Sequence, residues 1–243
     1  MYNLIIDIGN TAVKACWADG MTLGKTFRYQ GEHVVDFISS LLDKEKPALT
    51  VISSVYTISE ADSDYLNIKC SGNLVILDPS HTSLISEKGL PSHLTYDRVA
   101  AILAAEYLFR GRGCTVVDFG TTLSVDFTDK EGNYIGGNIS LGLRTRFKAL
   151  NRYSRALPLV DTPEEDVPVI GTTFSSSVTS GVVSGIVFEI EGYLNLHPDN
   201  MVVFTGGDAI YFANRMKNSI FVVCNLVLMG LALIADENVK KIS

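Results

Sequence analysis

Two short segments of the chain share a pattern suited to binding phosphate: Asp7-Ile8-Gly9-Asn10-Thr11 and Asp118-Phe119-Gly120-Thr121-Thr122, each preceded by an apolar, β-branched run. In each, the Asp ends a strand, the Gly lets the backbone turn tightly, and the amides and hydroxyls that follow face outward as donors. Two such turns facing across a cleft would grip one nucleotide's phosphates from both sides. Magnesium takes one or two carboxylates together with phosphate oxygens and water, so a single strand-end Asp is enough for it. Two unrelated hairpins that both carry Asp-x-Gly-polar-Thr are the plainer alternative.

A second candidate is Asp97-Arg98, at the head of an apolar helical stretch. A carboxylate there would accept a proton in a transfer reaction. It would equally cap the helix and favour its dipole, which is what an Asp at a helix start ordinarily does. A third glycine turn, Thr205-Gly206-Gly207-Asp208-Ala209, lies between a strand pattern and a helix pattern. Gly20-Met21-Thr22-Leu23-Gly24-Lys25-Thr26 resembles a P-loop but is one residue short between its glycines and leads into Phe27-Arg28-Tyr29, so a hairpin is expected instead. His33, His81, His93 and His197 show no metal-ligand spacing and are expected to be ordinary surface or loop residues. The Ser/Thr run 172–180 has no nucleophile elbow and reads as a helix start. Beyond it, Gly181 and Gly185 would suit close packing, within the chain or at a subunit interface.

Leu4–Ile8, Ala12–Ala18 and Thr26–Tyr29 read as three strands in a meander. A helix follows over Val34–Leu42. Leu49–Val55 and Leu74–Leu77 then read as buried strands flanking a polar helix, and another helix runs from Arg98 to about Phe109. The pattern restarts with strands Thr115–Phe119, Leu123–Thr128 and Tyr134–Ile139, the last two joined by the turn Lys130-Glu131-Gly132-Asn133. After a stretch holding Pro158, Pro163 and Pro168 come a helix Ser175–Leu196, strand Met201–Thr205, helix Asp208–Met216, strand Ile220–Val223 and a final helix. Each half is therefore a three-stranded meander followed by alternating helices and strands, with matching Asp-x-Gly turns. This is an internal repeat, with domains expected at 1–112 and 113–243.

At 243 residues, 47% hydrophobic and 19% charged, the chain is long enough to bury two small cores. A net charge of -7 is opposed to nucleic acid or an anionic membrane surface and favours a small ligand. Ile220–Ala235 is apolar but short, and Asn225 and Gly230 interrupt it; a buried strand and a buried helix are expected there rather than a membrane span. Four scattered cysteines and an N-terminus without a signal-peptide pattern suggest a cytoplasmic location.

The paired turns resemble those of the actin, Hsp70 and sugar-kinase superfamily. That resemblance implies an α/β protein of two ribonuclease-H-like domains, each with a mixed sheet, and a ligand cleft between them. Within that superfamily the sequence most resembles the type III pantothenate kinases over almost its whole length. Asp7-Ile8-Gly9-Asn10-Thr11 is similar to the family's DxGNT motif, and Asp97-Arg98 to GxDR. Asp118-Phe119-Gly120-Thr121 is similar to DxGT, and Gly136-Gly137-Asn138-Ile139-Ser140-Leu141-Gly142 to GGxIxPG.

The resemblance implies ATP-dependent phosphorylation of pantothenate to 4'-phosphopantothenate, the first step of coenzyme A synthesis. Asp97 would be the catalytic base. Thr95, Tyr96, Asp97, Arg98 and Thr173 would bind the substrate. Asp7, Ile8, Gly9, Asn10, Thr11, Ala12, Val13, Lys14 and Thr121 would bind ATP. Asp7 would hold magnesium, and Asp118 a monovalent cation, potassium or ammonium. A homodimer is implied, with no nucleic-acid or membrane partner.

Four positions depart from the family pattern. Thr95 stands for the Gly of GxDR, Lys88 for an upstream Tyr, Leu141 for the Pro of GGxIxPG, and Phe174 where the family has a substrate-binding Thr. All four lie on the acceptor side, so two alternatives stay open: a non-catalytic regulatory paralogue, and a kinase of the same superfamily acting on another small alcohol.

Overall fold

The computed structural model describes residues 2–163 and 167–242. The chain forms two compact units, Met1–Leu108 together with Asn225–Ser243, and Phe109–Cys224. Each has its own sheet and its own core.

In the first unit β1 (Asn3–Ile8), β2 (Val13–Asp19) and β3 (Thr22–Tyr29) form the meander. They are followed by α1 (Val34–Leu42), β4 (Thr50–Ser54), α2 (Glu60–Lys69), β5 (Leu74–Leu77), α3 (Ser83–Glu87) and α4 (Tyr96–Leu108). The sheet order is β3-β2-β1-β4-β5. β1 runs antiparallel to β2 and parallel to β4, and β4 runs parallel to β5. Leu4, Ile6 and Ile8 share one face with Ile38, Leu41 and Leu42 of α1 and Leu66 of α2. Strand alternation puts Ile5 and Asp7 on the other face. That face is covered by the last helix, α8 (Leu226–Ile242), which packs on β1, β2, β4 and α4. Helices on both faces explain why every residue of β1 is buried.

The second unit repeats this plan. It contains β6 (Cys114–Phe119), β7 (Thr122–Thr128), β8 (Tyr134–Leu141), α5 (Leu143–Tyr153), α6 (Phe174–Leu196), β9 (Met201–Gly206), α7 (Ala209–Ala213) and β10 (Ile220–Val222). The order β10-β9-β6-β7-β8 is that of the first sheet read from the other edge, with the same parallel and antiparallel pairings. Val117, Phe119, Leu123 and Phe127 pack with Phe147 of α5, Ile186 and Ile190 of α6, and Phe212 of α7.

Several expectations are corrected. The final helix joins the first unit rather than residues 113–243, because its interior residues Leu228, Leu231 and Ala235 are buried while Gly230 lies against Ala100 of α4. A Cβ at Gly230 would stand 1.9 Å from the Ala100 carbonyl oxygen, so only Gly permits this approach. Strand Ile220–Val223 is not buried: β10 is an edge strand with Phe221 44% and Val222 37% exposed. β5 is likewise only partly buried, and α7 is shorter than the expected 208–216. The P-loop-like segment Gly20–Thr26 is indeed the turn of a hairpin and the first part of its second strand, with Gly20 at φ +54° and β3 beginning at Thr22. α3 and α5 went unrecognised in the sequence. Among the described residues, no helix is long and apolar enough to cross a membrane.

Candidate functional site

In the first unit, the parallel strands β1, β4 and β5 all end at one edge, with Ile8 opposite Ser54 and Ser53 opposite Leu77. Ligands of open α/β sheets bind at such carboxyl edges, where loops can reach beyond the strands. Leaving β1, the chain turns back through Gly9, whose amide donates to the Ala12 carbonyl at 3.1 Å. Asp7 is 8% exposed, Ile8 and Val13 are buried, and Asn10 and Thr11 reach solvent. Lys14 pairs with Asp7 in the β1–β2 register, on a half-buried site.

The same edge receives the N-terminus of α4. The Tyr96 ring is buried and its hydroxyl donates to the His81 carbonyl; burial, with Asp78 and Glu87 nearby, pushes that hydroxyl's pKa up to about 12. Asp97 is half-buried in the first turn, its Oδ1 accepting the Arg98 amide at 2.9 Å, and Arg98 is buried. Thr95 is exposed, and its carbonyl accepts the Val99 amide. Asp7 and α4 therefore belong to one sheet face and one sheet edge. Lys88, at the position of the family's Tyr, pairs with Glu237 of α8 at 2.5 Å.

In the second unit the corresponding edge is built from backbone. The Gly120 amide donates to Thr122, and the Gly142 amide, at the N-cap of α5, donates to the Thr121 carbonyl at 3.0 Å. Thr145 adds its hydroxyl to that carbonyl at 2.7 Å. The Gly206-Gly207-Asp208 turn folds onto β6, with the Gly207 amide on the Phe119 carbonyl at 2.9 Å. A Cβ at Gly206 would lie 2.4 Å from Asp118 Oδ1, and one at Gly142 2.1 Å from the Gly120 carbonyl oxygen. Hence the turns at Asp118, Thr121 and Gly206 are drawn into one place. Burial raises the pKa of the Asp208 carboxyl, while the charge of Arg144 opposes that rise.

Thr173 is the N-cap of α6, in a capping box with Ser176. Its hydroxyl accepts the Ser176 amide at 3.1 Å, so the run read as a helix start is one. Phe174 is 71% exposed. α5 and α6 also border a cavity of about 530 Å³ lined by Leu141, Leu150, Leu157, Val178, Gly181 and Val182. The sequence left unrecognised a buried carboxylate, Asp78, and its partners Ser80 and His81, which cluster at the β5 exit. Asp-Pro-Ser-His directly after an apolar strand was the available signal, since such residues bond their own backbone in turns.

The model of the type III pantothenate kinase family matches residues 3–196. The type III pantothenate kinase of Phocaeicola vulgatus is 37% identical over 98% of this chain and 99% of its own. Among solved structures, the activator of the 2-hydroxyisocaproyl-CoA dehydratase from Clostridium difficile, with bound ADPNP, superposes with a TM-score of 0.61 at 14% identity, covering 99% of this chain and 96% of that one. MreB5 of Spiroplasma citri bound to ADP gives 0.53 at 13% identity, covering 99% and 98%. At such identities the two structures speak for the fold alone, an actin-like ATPase fold.

Proposed function

Since the chain belongs to the type III pantothenate kinase family, we propose that it transfers the γ-phosphoryl group of ATP to the hydroxyl of pantothenate, opening coenzyme A synthesis. The observation that carries this reading is the convergence, on one sheet edge, of the Asp7 turn and the Asp97-Arg98 helix start. Asp97, half-buried and held by the Arg98 amide, takes the proton of the attacking hydroxyl. Arg98 and Thr95 orient the acceptor; Tyr96 serves by packing, and Thr173, one position before the Phe174 that stands for the family's substrate-binding Thr, offers its hydroxyl from the start of α6. The amides and hydroxyls from Gly9 to Lys14, together with Thr121, hold ATP.

The donor set fits a magnesium ion that keeps phosphate and water ligands. Asp7 offers one hard carboxylate at a strand end, which is enough for such an ion. Asp118, beside the backbone turns of Gly120 and Gly206, is a suitable anion for potassium or ammonium. When bound, these cations neutralise phosphate charge as it shifts toward the leaving oxygen. The chain is further proposed to act as a homodimer, supported by the exposed apolar side chains Ile139, Leu141, Leu150 and Phe174 of the second unit.

The test is pantothenate-dependent release of ADP by the purified protein with magnesium, in the presence and absence of potassium. Activity in the wild type and its loss in Asp97→Asn are the expected results. No pantothenate-dependent release, or full activity in Asp97→Asn, overturns the assignment. ATP binding without turnover of pantothenate would favour the non-catalytic alternative, and turnover of another alcohol the third.

A further inference from the structure

We propose that Asp78 is a positioning residue for the acceptor site, acting through His81 and Tyr96 on the Asp97-Arg98 helix start. Asp78 follows β5 directly, is fully buried and belongs to neither glycine turn. A buried carboxylate is costly unless its oxygens are satisfied. Here Oδ2 accepts the Ile58 amide at 2.9 Å, and Oδ1 accepts the Ser80 amide at 2.9 Å, the Ser80 hydroxyl at 2.6 Å and His81 Nδ1 at 2.8 Å. One side chain thus ties the segment after β4 to the segment after β5, and sets the conformation of residues 78–81.

The next link is the carbonyl of His81, which accepts the hydroxyl of Tyr96. Tyr96 is the first residue of α4, and its buried ring cannot swing into solvent. Its hydroxyl stays protonated and so remains a donor throughout the working pH range. Asp97 and Arg98 come next in the chain, in the same helical turn. The placement of this helix start is thereby tied to a fully buried carboxylate at the β5 exit. Proton transfer and in-line attack tolerate little displacement, and a shift of 1 Å can cost about 100-fold in rate.

This inference rests on the proposed kinase activity, so its test has one arm that needs no activity. Tyr96→Phe keeps the ring and removes only the hydroxyl; Asp78→Asn keeps the shape and removes the charge. Steady-state kinetics should show Tyr96→Phe lowering kcat by about 10- to 100-fold, with KM for ATP unchanged. The Asp78→Asn/Tyr96→Phe double variant should be no worse than the poorer single variant, because both act along one chain of bonds. Amide hydrogen exchange at residues 96–99 should quicken in both single variants while exchange in β1 does not.

Unchanged kcat and unchanged exchange at residues 96–99 in Tyr96→Phe overturn the proposal. So does a parallel loss of ATP affinity and thermal midpoint, the signature of a merely structural role. If the wild type has no activity on pantothenate, the kinase assignment fails, and the exchange arm still decides whether Asp78 and Tyr96 hold the helix start.

Discussion

The two units share one strand order and one Asp-x-Gly turn, yet equip the same sheet edge differently. The first unit brings ionisable side chains there: Asp7, Asp97, Arg98, and the buried Asp78 with His81. The second brings glycines, at positions 120, 142, 206 and 207, whose backbones come too close for a Cβ at Gly142 and Gly206. Side chains that accept protons or bind an acceptor must be individually aimed, whereas backbone groups grip phosphate wherever a tight turn exposes them. The same fold, repeated, thus presents mainly ionisable side chains at this edge in one copy and mainly close-packed backbone turns in the other.

The largest expected effect that would break this contrast is at Asp97. Asp97→Asn should lower kcat for pantothenate by about 100- to 10,000-fold with ATP affinity retained, as read by kinetics and nucleotide titration. The next separates the two turns directly. Gly142→Ala places a Cβ 2.1 Å from the Gly120 carbonyl oxygen and should weaken ATP binding at least about tenfold, some 1.4 kcal/mol. Gly9→Ala meets only the Ala12 carbonyl oxygen at 3.3 Å and should be much milder. Equal losses in both would refute this contrast between the two turns.

Away from both edges the expected effect is on stability and not on activity. Gly230→Ala forces α8 off α4 and should cost about 1–3 kcal/mol, a drop of a few degrees in thermal midpoint. The last concerns acid, and is felt only at low pH. Burial acts to raise the pKa of the Asp78 carboxyl, but hydrogen bonds from Ser80, Ile58 and His81 outweigh it and hold the value at about 2. Because the folded value lies below the unfolded one, Asp78 contributes stability in full above about pH 4 and loses it as pH falls toward 2. That contribution is about 2 kcal/mol. Urea unfolding at pH 5 and pH 3 should show this acid-sensitive increment in the wild type and not in Asp78→Asn.

The meanders, their turns and the long α6 were legible in the sequence because local rules govern them. Short apolar, β-branched runs set strands, and Gly20 and Gly132, both at positive φ, set hairpin turns. α5 was missed although Leu143 and Phe147 stand four apart on its buried face, because Arg, Lys and Asn dominate the segment's composition. The depth of β10 was misjudged because an apolar edge strand and an apolar central strand read alike. Asp97 stood out only through its motif. Asp78 did not stand out at all, since a lone Asp before Pro is an ordinary turn residue until its four donors are seen in space.

By itself, the order of residues determined that the chain is a tandem of like folds with an Asp-x-Gly turn in each half, because strand period and glycine placement are short-range properties. Tertiary structure alone decided that the last helix returns to the first unit and that Asp78 serves the helix start eighteen positions later, Tyr96 being its distant link. Such matters depend on which surfaces bury one another and which polar groups must then find partners. That accounting closes only when the whole core is assembled.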